Sequence, residues 1–139
     1  VSLVFGLEVA LAMMDEEGWD NVYARHARMG EATRAAVCAL GFGILPEHPV
    51  NGVTVALCPE GIDGNRVIRV VDDEFGVRLA GGQDHLSGKV VRIGHMGGIR
   101  ERDLAMAISA LERALNVVGC TTEAGKGLEA LQQVLIGTG

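Results

Sequence analysis

Between Gly81 and Gly97 the chain passes through a glycine-rich loop, a short apolar strand and a second glycine-rich turn, and a helix begins near Arg100. On the strand, Lys89, Val91 and Ile93 point to one face, and Val90, Arg92 and Gly94 point to the other. A guanidinium on a buried strand is costly unless an anion meets it. No acidic residue sits on the strand beside Arg92. Arg92 therefore either reaches solvent or receives a carboxylate or phosphate, which its planar fork suits.

The rest of the chain supplies helices to cover such a strand. Leu3, Leu7, Leu11 and Met14 recur at helical spacing, so residues 1 to about 17 read as a helix, apolar nearly all round. Such a helix is either a central core helix or one whose apolar face meets another body. Gly18 breaks it, and Asp20 is placed to cap a second helix running to Leu40, with Gly41 as its stop. Gly41 to Pro49 reads as a turn-rich connection, followed by a strand at about 50–58. Asp63 caps a helix that carries Val67, Ile68, Val71 and Phe75 and stops at Gly76. A short strand at Val77–Ala80 leads to the glycine loop. The last strong helix spans Arg100 to Val118, with Glu101 and Asp103 early and Arg113 late, as the helix dipole favours. After Gly119 comes a weak tail with a possible short helix over Leu128–Ile136. The order α-α-β-α-β-β-α implies an α+β fold, a small sheet covered by helices.

Composition excludes several classes. With 139 residues, 48% of them hydrophobic and 22% charged, the chain is neither disordered nor coiled coil. A net charge of −6 argues against nucleic acid or an anionic membrane as partner. One Trp, one Tyr and three Phe leave no stacking platform for single strands. No apolar run reaches the length of a membrane span. Cys38, Cys58 and Cys120 are odd in number and widely spaced, which argues against a disulfide framework or a zinc site and for a reducing, cytoplasmic location. The chain opens on Val1 and runs at once into a helix, so it is expected to be the C-terminal part of a longer polypeptide.

Arg92-Ile93-Gly94-His95-Met96-Gly97, preceded by Ser87-Gly88-Lys89, resembles the C-terminal small domain of class V pyridoxal-phosphate aminotransferases. That group includes the alanine–glyoxylate and serine–glyoxylate aminotransferases and proteins named as the small subunit of a soluble hydrogenase. Gly6-Leu7-Glu8, Glu16-Glu17-Gly18, Ala24-Arg25-His26, Asp63-Gly64 and Gly81-Gly82 keep the family's order and approximate spacing. The resemblance runs from about Phe5 to Val118 and leaves the tail outside. It implies a C-terminal domain of a fold-type I enzyme over 1–118, with 1–17 as a long interdomain helix and 119–139 as a tail.

Carried over by position, Arg92 holds the substrate's α-carboxylate, and Gly81 and Gly82 let the backbone pass close to the mouth of the site. His95 reads as a structural histidine rather than a catalytic one, and His26 as a satisfied core histidine. His85 lies in a loop expected to vary. The histidines and cysteines make no metal site. Gly94-x-x-Gly97-Gly98 before a helix could bind an anion but lacks the Lys-Ser/Thr of a phosphate loop.

The resemblance implies pyridoxal 5'-phosphate in the whole enzyme, a small amino acid and a 2-oxo acid as substrates, and a homodimer. Transamination needs a Schiff-base lysine. Only Lys89 and Lys126 are present, and neither matches that lysine, which in the family lies in the large domain. The chain alone is therefore expected to be inactive and to lack catalytic residues, its partner being a missing N-terminal large domain. The competing reading is a non-catalytic α+β binding or oligomerisation module, whose first helix packs within the chain.

Overall fold

The apolar spacing at the N-terminus does become a helix, but one that buries nothing. In the computed structural model, which describes residues 1–137, α1 spans Ser2–Glu17 without a single buried residue. Leu3 is 88% exposed and Phe5 62%. Of the two readings of this helix, the central core helix is set aside. The self-contained module, which needed this helix packed within the chain, loses its main support.

Gly18, at φ +87°, turns the chain into α2, Trp19–Ala39. Gly18 itself occupies the N-cap, so Asp20 does not cap the helix; it lies in the first turn, where its charge still opposes the dipole. From α2, Met29, Ala32, Ala36, Val37 and Leu40 enter the core.

The connection after α2 contains a strand absent from the sequence reading, β1 (Gly43–Ile44), paired antiparallel with β2 (Val53–Leu57). Two residues carry too little pattern to be recognised without their partner. Helix α3 (Gly64–Phe75) begins as expected: the Asp63 carboxylate accepts the Asn65 N–H at 2.9 Å, and Gly76 closes it in the left-handed region. The strand expected at 77–80 is shorter and later, β3 at Ala80–Gly81. A 3-10 turn at Asp84–Leu86 precedes β4 (Val90–Gly94). Helix α4 covers Glu101–Val117, and α5 covers Lys126–Gly137.

The sheet is fully antiparallel, in the order β1-β2-β4-β3. Register decides which side chains go inward. Thr54 and Ala56 lie opposite Ile93 and Val91, and all four are buried beneath the helices. The core is completed by Val67 and Val71 of α3, Leu104, Ile108, Leu111 and Leu115 of α4, and Leu131 of α5. Each such aliphatic side chain contributes about 1.5–3 kcal/mol by leaving water. The other sheet face holds Val53, Val55 and Leu57 beside Arg92 and Gly94, and it is only partly covered.

Of the segment expected as a weak tail, 119–139, the described residues to 137 are more than that. Leu131 is fully buried, and Gly127 fits so closely between Leu40 and Ile108 that an added Cβ would lie 2.9–3.0 Å from both. The Glu112 carboxylate of α4 accepts the N–H groups of Gly125 and Gly127 at the start of α5. The helix expected over 128–136 is therefore present, longer, and part of the core.

Candidate carboxylate site

Arg92 stands in the middle of β4, opposite Val55 on one side and Ala80 on the other. Its side chain is half-buried on the face away from the helices. Its Nε donates to the carbonyl oxygen of Gly81 at 2.7 Å. Among the described residues no carboxylate comes within ion-pair distance of it. A cation held on a sheet face with no protein anion beside it is suited to an anion from outside.

Gly81 lies against this guanidinium, and Gly82 follows it in the loop. An added Cβ on Gly81 would meet Asn65 Oδ1 at 3.2 Å and Ile68 Cδ1 at 3.3 Å. On Gly82 it would lie 2.1 Å from the carbonyl oxygen of Leu86. The glycines are needed because the loop crosses itself and α3 there, a reason that the sequence did not reveal.

Beyond β4 the chain is fastened to α2. Gly97 donates its N–H to His26 Nε2 at 3.1 Å, and its carbonyl accepts from Arg25 Nη1 at 2.9 Å. Arg25 also pairs with Glu17 at 2.6 Å, and that hydrogen bond holds the Glu17 carboxyl below its ordinary range. His26 is thus a satisfied structural histidine. His95 is fully buried, its Nε2 2.9 Å from Thr54 Oγ1. Burial lowers its pKa below the ordinary value; the Asn51 backbone opposes this, and the nearby Arg34 charge adds to it. A neutral, enclosed ring that meets no solvent fits structure rather than proton transfer. His85 is exposed in the 3-10 turn.

The N-terminus of α4 is closed by its own Asp103, whose carboxylate accepts the Arg100 N–H at 2.8 Å. A carboxylate of the chain itself thus already lies at the helix end that follows Gly94-x-x-Gly97-Gly98. Among the described residues no group of three His, Cys, Asp or Glu could hold a metal ion. No helix is long and apolar enough to cross a membrane. Lys89 and Lys126 are both exposed, at the approach to β4 and the start of α5. Neither sits in an enclosed site, so the residues present do not by themselves fit a pyridoxal-phosphate cradle.

A four-stranded antiparallel sheet with helices on one face is the fold of the C-terminal domain of pyridoxal-phosphate-dependent aminotransferases. The pyridoxamine–pyruvate aminotransferase of Mesorhizobium loti matches it with a TM-score of 0.89 and 33% identity, over 96% of this chain and 35% of that one. No protein-family model matches the sequence. The serine–glyoxylate aminotransferase of Methylorubrum extorquens is 40% identical over 96% of the chain and 34% of its own length. The soluble hydrogenase small subunit of a Synechococcus strain is 39% identical over 97% of the chain and 36% of its own length. These homologues are class V aminotransferases, and the chain is similar to the part of them that forms the C-terminal domain. It spans about a third of the length of the curated relatives it matches. Since the matches take in 96–97% of the chain, most of the segment after Gly119, expected to fall outside the resemblance, lies within them.

Proposed function

We propose that this chain is the carboxylate-binding domain of a pyridoxal-phosphate-dependent aminotransferase, one that moves an amino group from a small amino acid such as alanine or serine to glyoxylate or pyruvate. The observation that carries this reading is Arg92, half-buried on the partly covered sheet face, fastened through Nε and without a protein carboxylate. Its Nη atoms fix the substrate's carboxylate, which orients the amine for reaction. Glyoxylate and pyruvate appear in the names of relatives, and they supply the acceptor class.

The lysine, the phosphate cradle and the partner of the pyridine nitrogen belong, in this reading, to the part of the protein outside this chain, and the chain alone is inactive. Helix α1 lies against that larger part, which covers Leu3, Val4, Phe5 and Leu7. The whole protein is a cytoplasmic homodimer in this reading.

The test uses the full-length protein with pyridoxal phosphate bound and follows the cofactor's absorbance band as alanine or serine is added. A shift with either amino acid is expected. Arg92→Ala should need roughly 30- to 150-fold more amino acid for the same shift, since a charge-assisted hydrogen-bond pair is worth about 2–3 kcal/mol. A full-length protein that binds no pyridoxal phosphate, or an Arg92→Ala variant as responsive as the parent, rules the assignment out.

A further inference from the structure

A guanidinium has two edges that can grip a carboxylate: the side edge, Nε with one Nη, and the end, Nη1 with Nη2. In this chain Nε is already engaged by the Gly81 carbonyl at 2.7 Å, which leaves the end. The direction of that end follows from where Gly81 is held.

Gly81 is held from two sides. Helix α3 backs it, with Asn65 Oδ1 and Ile68 Cδ1 close enough to touch a Cβ were there one. The loop that follows is locked by its own crossing, where Gly82 passes against the Leu86 carbonyl with no room for any side chain. Three backbone bonds tie the turn: Leu86 N to Gln83 O at 2.9 Å, Ser87 N to Asp84 O at 3.1 Å, and Lys89 N to Leu86 O at 3.0 Å. Asp84 adopts φ +48°, an uncommon conformation for a residue with a side chain, which the surrounding turn enforces. The far end of the loop returns to the same helix, where Asn65 Nδ2 donates to Ser87 Oγ at 3.2 Å and Gly64 N to Gly88 O at 2.8 Å. Asn65 thus stands beside both ends of the loop, at Gly81 and at Ser87.

We propose that Gly82 and Asn65 are positioning residues for Arg92: they keep the Gly81 carbonyl on Nε, so that the guanidinium presents its Nη1/Nη2 end to the substrate carboxylate. This rests on the reading of Arg92 as the carboxylate clamp. Neither residue touches substrate; each acts through the Gly81 peptide. The ligand is a monocarboxylate taken end-on, with both oxygens engaged.

The experiment uses the full-length holoenzyme with Gly82→Ala, Asn65→Ala, Arg92→Lys, Arg92→Ala and the parent. Three quantities are compared: KM for alanine against kcat, the rate of cofactor reaction with hydroxylamine (which has no carboxylate), and the thermal midpoint. Gly82→Ala is expected to raise KM for alanine about 10- to 100-fold while kcat falls less and hydroxylamine reacts at the parent's rate. Asn65→Ala, which keeps the Gly82 crossing and so guards against a misfolded Gly82 variant, should raise KM about 3- to 10-fold with the same unchanged hydroxylamine rate. Arg92→Lys, which retains charge but cannot hold Gly81 through Nε and bind end-on together, should resemble or exceed Gly82→Ala. An unchanged KM in a folded Gly82 or Asn65 variant overturns the proposal, as does a hydroxylamine rate that falls in step with alanine. If Arg92→Lys and Arg92→Ala leave KM unaltered, the clamp reading itself has failed, a result separable from the first by the Arg92 variants alone.

Discussion

His95 Nε2 lies 2.9 Å from Thr54 Oγ1, and both side chains are fully buried between the sheet and the helices. The ring's pKa is lowered by burial, so the folded state disfavours the protonated form that the unfolded chain takes up below about 6.5. The unfolded state then binds more protons, and stability falls as pH drops through and below 6.5. The slope from this one group is at most about 1.4 kcal/mol per pH unit. Urea unfolding between pH 7.5 and 5.5 should show this decline. A Thr54→Val variant, which strands Nε2 without a partner, should be less stable by about 1–3 kcal/mol at pH 7.5.

Helix α5 depends on a carboxylate from another helix. Glu112 is buried and accepts the N–H groups of Gly125 and Gly127, donors that a helix start otherwise leaves unpaired. Replacing it with Ala should cost about 1–3 kcal/mol, and Glu112→Gln, which keeps one acceptor oxygen, should cost less. Amide exchange in α5 should quicken by more than exchange in α3, a pattern that a global loss of stability does not produce.

Cys38 should react with alkylating agents well before Cys58. Burial, with Asp63 adding to it, pushes the Cys58 thiol up to about 11. At pH 8 only about a thousandth of it is thiolate, and the thiolate is the nucleophile. Cys38 is exposed. Peptide mapping after brief iodoacetamide treatment at pH 8 should find Cys38 modified and Cys58 essentially untouched; equal labelling contradicts the structure.

Produced without the rest of its protein, the chain should associate through α1. Leu3, Val4, Phe5 and Leu7 are all more than half exposed, a patch of the kind that marks an interface. Replacing Leu3 and Leu7 together with Lys should move sedimentation toward a 14.6 kDa monomer. If the proposed larger part covers this face, the same pair of changes in the full-length protein should lower its thermal midpoint.

The sequence by itself determined the parts whose causes are local. Asp63 and Gly76 bracket α3 because a cap and a left-handed stop each act within a turn. The apolar spacing of Leu104, Ile108, Leu111 and Leu115 decided both the existence of α4 and its inward face. The strand within the motif from Ser87 to Gly97 was legible, and so was the face of it that Arg92 occupies. Tertiary structure decided whatever depends on a partner distant in the chain. Strand β1 exists because Gly43 and Ile44 find Leu57 and Ala56, and no pattern in two residues foretells that. Asp20 lost its place as cap because Gly18 turned the chain two residues sooner. The segment after Gly119 joined the core because Glu112 and Leu40 receive it. Above all, the orientation of Arg92 was set by a carbonyl eleven residues away. Spacing reports which face a side chain occupies; only the register of neighbouring strands brings a particular acceptor within hydrogen-bond reach.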